Sequence, residues 1–222
     1  MSLGKLLPEI VDQFKIAYEK NCLGLLVDSY RKLLESGTMN IDWEEEKISM
    51  ELIQYMKIAN EERGLTIHIV PEPRLYSKEI YDSGLKPKES PRIDLQLLSF
   101  NSSLELVYNM EAKNLAEIDW KKSTGASVKS SYLTGRYIKT GIENFVNNRY
   151  GNGCLVGYVL NGEPHKVADN INALLKTEGR DAEKLYLSTA IEGYNFCFQS
   201  QHKRKKNGLS FHLPHIFLKF IP

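Results

Sequence analysis

The sequence predicts an α/β fold: a mixed central β-sheet flanked by helices, with an N-terminal helical extension. Three observations lead to it. Apolar residues recur at steps of three and four through residues 5–64, the period of amphipathic helices. A short β-branched run at 65–70 and two apolar runs at 92–100 and 104–112 then follow, the last two separated only by Asn101, Ser102 and Ser103, a hairpin signal. A helical stretch at 132–149 and one strongly apolar run at 154–160 come next. Three consecutive strands before a crossover helix imply a mixed sheet, not a Rossmann-type alternation.

Element by element, residues 5–36 are expected to form two helices. Leu6, Leu7, Ile10, Val11, Phe14, Ala17 and Tyr18 mark the first, with Pro8 suited to its opening turn. Leu23, Leu26, Tyr30, Leu33 and Leu34 mark the second, which Gly37 ends. A third helix starts near Asp42, as its N-cap, and runs to Gly64 with Ile48, Leu52, Met56 and Ala59 as its buried stripe. Strands are expected at 65–70, closed by Pro71 and Pro73, then at 92–100 and 104–112. Helix 132–149 carries Leu133, Tyr137, Ile138, Ile142, Phe145 and Val146 on one side. Strand 154–160 ends at Asn161-Gly162, a helix fills 164–178, and late strands lie at 184–190 and 215–221. One domain thus spans 1–222, divided into a helical extension (5–36), a core (42–160) and a C-terminal helix with strands (161–222).

Composition excludes several classes. The chain has 222 residues, 42% of them hydrophobic, enough for one substantial core. It has no apolar run near the ~20 residues that span a bilayer. Glu9 and Asp12 interrupt any export signal, and Cys22, Cys154 and Cys197 are too far apart in sequence for a disulfide framework or zinc knuckle. A cytoplasmic protein with reduced thiols is expected. There is no phosphate-binding GxxxxGK[ST] loop and no Ser-His-Asp or Cys-His set with usable local context.

The formal net charge is only +1, but charge is segregated. Residues 35–62 hold eight acids against Lys47 and Lys57, whereas 112–149 hold Lys113, Lys121, Lys122, Lys129, Arg136, Lys139 and Arg149 against three acids. A second basic cluster, Lys203 to Lys206, follows His202. Each run alone reads first as a solvated face.

Chemistry concentrates at the end of the second hairpin strand, Glu111-Ala112-Lys113. Side chains two apart on a strand share a face, and placing a carboxylate and an ammonium beside buried apolar residues is costly unless each is compensated. Asp94 precedes Glu111 by 17 residues. An even-length loop centred on Ser102-Ser103 sets Asp94 opposite Glu111 on the same face; an odd loop requires a bulge to do so. Two carboxylates and a backbone carbonyl suit a hard divalent cation, most naturally Mg²⁺. Two other acid-x-Lys triplets occur, Glu45-x-Lys47 and Asp119-x-Lys121. The first opens a helix and the second lies in a polar loop, so context selects Glu111-x-Lys113.

Asp94…Glu111-Ala112-Lys113, with a helix before and the helix–strand pair 132–160 after, resembles the PD-(D/E)xK nuclease superfamily, the restriction-endonuclease-like fold. The resemblance covers about residues 42–160. It implies that Asp94 and Glu111 are metal ligands, Lys113 the catalytic lysine, and Mg²⁺ (or Mn²⁺) the cofactor of a phosphodiester-cleaving endonuclease. It also implies an acid from the first core helix: Glu45, one turn before Ile48, ahead of Glu46 and Glu51. The sequence departs from the family pattern at one point, because Pro91 stands three residues before Asp94 instead of directly before it.

The implied partner is nucleic acid, DNA ahead of RNA, in a bacterial restriction or phage-defence setting, with a homodimer or a defence-system subunit as the assembly. Lys121, Lys122, Lys129, Arg136 and Lys139 follow the site and are candidate phosphate contacts, as are His202 and Arg204. His212 and His215 are expected to be structural. Glu72, between two prolines, is a remote candidate for the metal. Three alternatives stay open: a plain ion pair at the hairpin end, a nuclease-like module that binds without cutting, and a subunit whose 5–36 helices mediate assembly.

Overall fold

The computed structural model describes residues 7–74, 92–101 and 104–220. In chain order the elements are α1 (Pro8–Glu35), α2 (Glu45–Glu62), β1 (His68–Pro71), β2 (Leu95–Asn101) and β3 (Leu104–Ala116). A small hairpin follows, β4 (Trp120–Lys121) and β5 (Ser127–Val128), and then helix α3 (130–146). β6 (Gly153–Asn161), α4 (Pro164–Thr177), a 3-10 turn (Asp181–Glu183), β7 (Tyr186–Leu187), β8 (Cys197–Lys203) and β9 (Ser210–Lys219) complete the chain. The main sheet has seven strands in the order β1-β2-β3-β6-β9-β8-β7. β1, β2 and β3 run antiparallel, β3–β6 and β6–β9 pair parallel, and β8 and β7 return antiparallel. The expected class, a mixed sheet flanked by helices, is the observed one.

β6 lies at the centre, and the two faces of the sheet carry separate cores. Cys154, Val156, Tyr158 and Leu160 pack towards α1 and α2, while Leu155 and Val159 pack towards α3 and α4. This explains the unbroken apolar run at 154–160: a strand covered on both faces cannot alternate with polar residues. α3 is the crossover that the parallel β3–β6 pair requires. Its middle turn, Tyr137–Ile142, is a π-helix, and Leu133, Tyr137, Ile138, Ile142, Phe145 and Val146 are all buried as expected.

Several expectations are corrected. One helix, Pro8–Glu35, stands where two were expected over 5–36 (Lys5 and Leu6 lie outside the described residues), because the polar stretch after Tyr18 stays helical and Gly24 lies inside it, where its bare Cα leaves room for the Arg63 guanidinium. Asp42 does not cap α2: its Oδ2 accepts the Ser123 N–H at 2.9 Å, and the helix begins at Glu45. β1 begins at His68 instead of residue 65, because Asn60 and Gly64 shape the exit from α2. Leu65 N–H donates to the Asn60 carbonyl, and the Asn60 side chain bonds both backbone groups of Ile67. The late strand at 184–190 shrinks to Tyr186–Leu187, that at 215–221 starts earlier, at Ser210, and β8 between them was not anticipated. α3 stops at Val146, three residues early, and Asn148 takes a left-handed φ of 61° just beyond it.

Candidate active site

The β2–β3 register pairs Leu95 with Met110 and Asn101 with Leu104, which is the two-residue connection. One step beyond Leu95 and Met110, that register sets Asp94 opposite Glu111. Asp94 itself leaves the strand in a bend, where its carbonyl accepts the Glu72 N–H at 3.0 Å. With β2 ended, the Ala112 N–H turns to the Asp94 side chain and donates to Oδ2 at 2.6 Å. Glu111 and Lys113 share the face of Leu115, which belongs to the core beneath α3 and α4.

Four charged side chains converge there. The Lys113 ammonium lies 2.7 Å from Glu111 Oε1, 3.2 Å from Glu45 Oε1 and 3.7 Å from Asp94 Oδ2, and it also donates to the Ala112 carbonyl. Glu45 is delivered by the first turn of α2; its Oε2 accepts the Asn114 N–H at 3.0 Å, and Arg136 of α3 stands 3.8 Å from its Oε1. The first core helix therefore supplies Glu45 to the cluster. Glu51 pairs instead with Lys47. Lys113 and Glu111 are buried, with side-chain exposures of 5% and 7%, Glu45 is 14% exposed and Asp94 33%. The cluster is thus closed at the bottom and opens at Asp94.

Burial, reinforced by Asp94, drives the Glu111 carboxyl up to about 7, although Lys113 works against the rise. Burial also works to lower Lys113, but Glu111, Asp94 and Glu45 together outweigh it and raise its pKa, so the ammonium is held charged. One ammonium among three carboxylates offsets part of their charge and reduces their mutual repulsion. Glu111 Oε2 is buried without a hydrogen-bond partner, which is costly for a carboxylate oxygen.

Among the described residues, no group of three or more acidic, His or Cys side chains forms a ready-made metal cage; the Lys113 ammonium occupies the space between the acids. The donor chemistry nevertheless fits a hard divalent cation. Glu45, Asp94 and Glu111 offer only oxygens, and Glu111 Oε2 is a buried oxygen still lacking a partner.

The expected phosphate contacts divide into two sets. Lys121 and Lys139 are exposed and Arg136 is partly so. Lys122 is committed to Glu44 at 2.5 Å and the Asp42 carbonyl at 3.2 Å, and Lys129 to Asp119 at 2.7 Å. The Glu72 side chain is paired with Arg92 at 3.0 Å. His202 and Arg204 are corrected: neither projects from a basic loop. His202 is 2% exposed, with Nδ1 on Glu183 at 2.6 Å and Nε2 on Ser200 Oγ at 2.5 Å. Ser200 also meets His215 Nε2 at 2.6 Å, and His215 Nδ1 meets the Tyr137 hydroxyl at 2.8 Å. The contacts are those of a Ser–His–Glu triad, but Ser200 is 1% exposed and its hydroxyl is shared with His215, so no substrate reaches it and the set is structural. Arg204 lies over the Phe211 ring and donates to the carbonyls of Phe145, Tyr150 and Gly151.

Sequence reasoning gave no role to Tyr150 or Arg92, which border the cluster; a buried tyrosine within the Asn- and Gly-rich turn at 147–153 was the available signal. Comparison with known proteins adds nothing further: no family model, no curated protein and no solved structure matches the chain. Among the described residues no helix is long and apolar enough to cross a membrane.

Proposed function

We propose that this chain is a metal-dependent endonuclease of the PD-(D/E)xK type that hydrolyses phosphodiester bonds, with DNA as the expected substrate. The observation that carries the reading is the meeting of Glu45, Asp94 and Glu111 around Lys113 at the end of the β2–β3 pair. Setting aside the small β4–β5 hairpin, the order helix, three strands, helix, strand through 45–161, with β6 parallel to β3, supports this reading.

Asp94, Glu111 and Glu45 would hold Mg²⁺ or Mn²⁺. When bound, the ion supplies polarisation of the scissile phosphate and a more acidic water. Lys113 would offer its ammonium to the charge that develops on phosphate oxygens. Asp94, the most exposed of the four, sits where substrate enters, and Lys121, Arg136 and Lys139 attract the flanking phosphates. A restriction or phage-defence role in the cytoplasm follows from the resemblance alone.

A second reading has one observation in its favour: Lys113 pairs with all three acids, so each carboxylate already has a cationic partner without an ion. On that reading the chain binds nucleic acid or a protein without cutting. Incubation with plasmid and linear DNA, with Mg²⁺, Mn²⁺ or EDTA, separates the two. Cleavage in metal and none in EDTA supports the nuclease, whereas intact DNA in every lane leaves the binding module.

A further inference from the structure

Tyr150 is 2% exposed and lies in the turn between α3 and β6. Its hydroxyl donates to the Arg92 carbonyl at 2.8 Å, two residues before Asp94, and accepts from Asn144 Nδ2 at 3.2 Å. The same hydroxyl stands beside the Glu111 carboxylate. It has one proton and two acceptors within reach. With that proton on Arg92, Glu111 Oε2 remains without a partner.

The ring is itself held from both ends. Asn144 receives the backbone N–H of Arg149 and of Tyr150 on its carbonyl. Arg204 reaches from beyond β8 and donates to the Tyr150 carbonyl at 2.9 Å and the Gly151 carbonyl at 3.0 Å, as well as to Phe145. Asp94, by contrast, sits in a bend outside the β2 ladder, so its placement depends on what holds residues 92–94.

We propose that Tyr150 is a positioning residue for the carboxylate cluster, its hydroxyl fixing the turn that presents Asp94 and flanking Glu111, with Arg204 locking the loop that carries it. The metal side of this inference rests on the nuclease reading; the geometric side stands on the hydrogen bonds alone. Residues that orient ligand side chains typically alter metal affinity by about 10–100-fold when lost.

The test uses Tyr150→Phe, which keeps the ring and removes only the hydroxyl, and Tyr137→Phe, which removes an equally buried hydroxyl bonded to His215. Amide hydrogen exchange at Ala112 reports the bond to Asp94, and Asn114, bonded to Glu45, is the internal reference. Mn²⁺ affinity is measured on the same samples by calorimetry. Tyr150→Phe is expected to speed Ala112 exchange about tenfold relative to Asn114 and to weaken Mn²⁺ at least tenfold, with Tyr137→Phe changing neither. Unchanged Ala112 exchange in Tyr150→Phe overturns the proposal and makes Tyr150 a core residue only. A parent protein that binds no Mn²⁺, with Ala112 exchange still raised in Tyr150→Phe, overturns the nuclease reading and supports the positioning role.

Discussion

Lys113 is a lysine whose surroundings do two jobs. Its three carboxylate neighbours hold it charged, and it in turn reduces their mutual repulsion. Removing one member of a buried ion cluster leaves uncompensated charge, which typically costs about 3–5 kcal/mol. Lys113→Ala is therefore expected to be destabilised by that order in EDTA, and adding Mg²⁺ should restore much of the loss by replacing the missing cation. Thermal unfolding of parent and variant, with and without Mg²⁺, checks this; an identical Mg²⁺ shift for both would separate Lys113 from the metal site. The triad Asp94, Glu111 and Lys113 was legible in the sequence because the constraints on it are local. Strand alternation puts Glu111 and Lys113 on one face, and the sequence left open two loop parities, of which the observed two-residue connection sets Asp94 opposite Glu111. Glu45 was legible as far as the helical stripe through Ile48 indicated its side. Tyr150, His202 and Arg204 were not, because their partners lie far away in sequence: Arg92 for the first, Glu183 for the second, and the end of α3 for the third.

Single elements set how firmly the site is held. Gly157 in β6 pairs with Lys113 in the parallel register, and a Cβ there would stand 2.6 Å from Leu115 and 2.7 Å from Phe217. Gly157→Ala should overpack this core and cost about 1–3 kcal/mol, read as a lower urea midpoint with unchanged slope. β8 escaped the sequence because, past Cys197 and Phe198, the residues that it buries are the polar Ser200 and His202; hydrophobic alternation fails where hydrogen bonds satisfy the inward face. The chain from Tyr137 through His215, Ser200 and His202 to Glu183 has a definite electrostatic sense. Burial depresses His202 below its ordinary value, opposed by Glu183, with Arg180 and Glu143 also facing it. A neutral, depressed histidine gives stability that is full above its unfolded pKa of about 6.5 and is lost as pH falls below it. His202→Ala should cost about 1–3 kcal/mol above pH 6.5, and the gap to the parent should narrow below that pH. Glu111 acts in the opposite sense, its contribution being lost as pH rises through about 7, but it is common to both proteins and cancels in the comparison. A gap constant from pH 8 to 5 would show that His202 does not titrate with folding.

For the whole molecule, the strands β2, β3 and β6 were legible because their apolar runs are long, whereas their order in the sheet was not read beyond the β2–β3 pair. The edge strands β1 and β7 were legible in place but not in length, since both are short and shaped by their connections. The charge segregation also acquires a location. Acidic α2 and basic α3 meet at the cluster through Glu45 and Arg136, and the exposed cations Lys121 and Lys139 remain for a polyanion. The double variant Lys121→Glu/Lys139→Glu is expected to weaken DNA binding and to flatten the dependence of log affinity on log salt by about 2, near 0.9 for each duplex phosphate that a lysine no longer neutralises. Equal slopes for parent and variant would return both lysines to the solvated surface.

The central claim, that these carboxylates and this lysine cut phosphodiester bonds together, is tested most directly by measuring Mn²⁺ affinity and DNA cleavage side by side for the parent, Asp94→Ala and Lys113→Ala. Asp94→Ala should lose metal affinity and cleavage together. Lys113→Ala should keep or gain metal affinity as its competing ammonium is removed, while cleavage falls by about 10²–10³. Cleavage by Lys113→Ala at the parent rate, or no metal-dependent cleavage by the parent, would contradict the account.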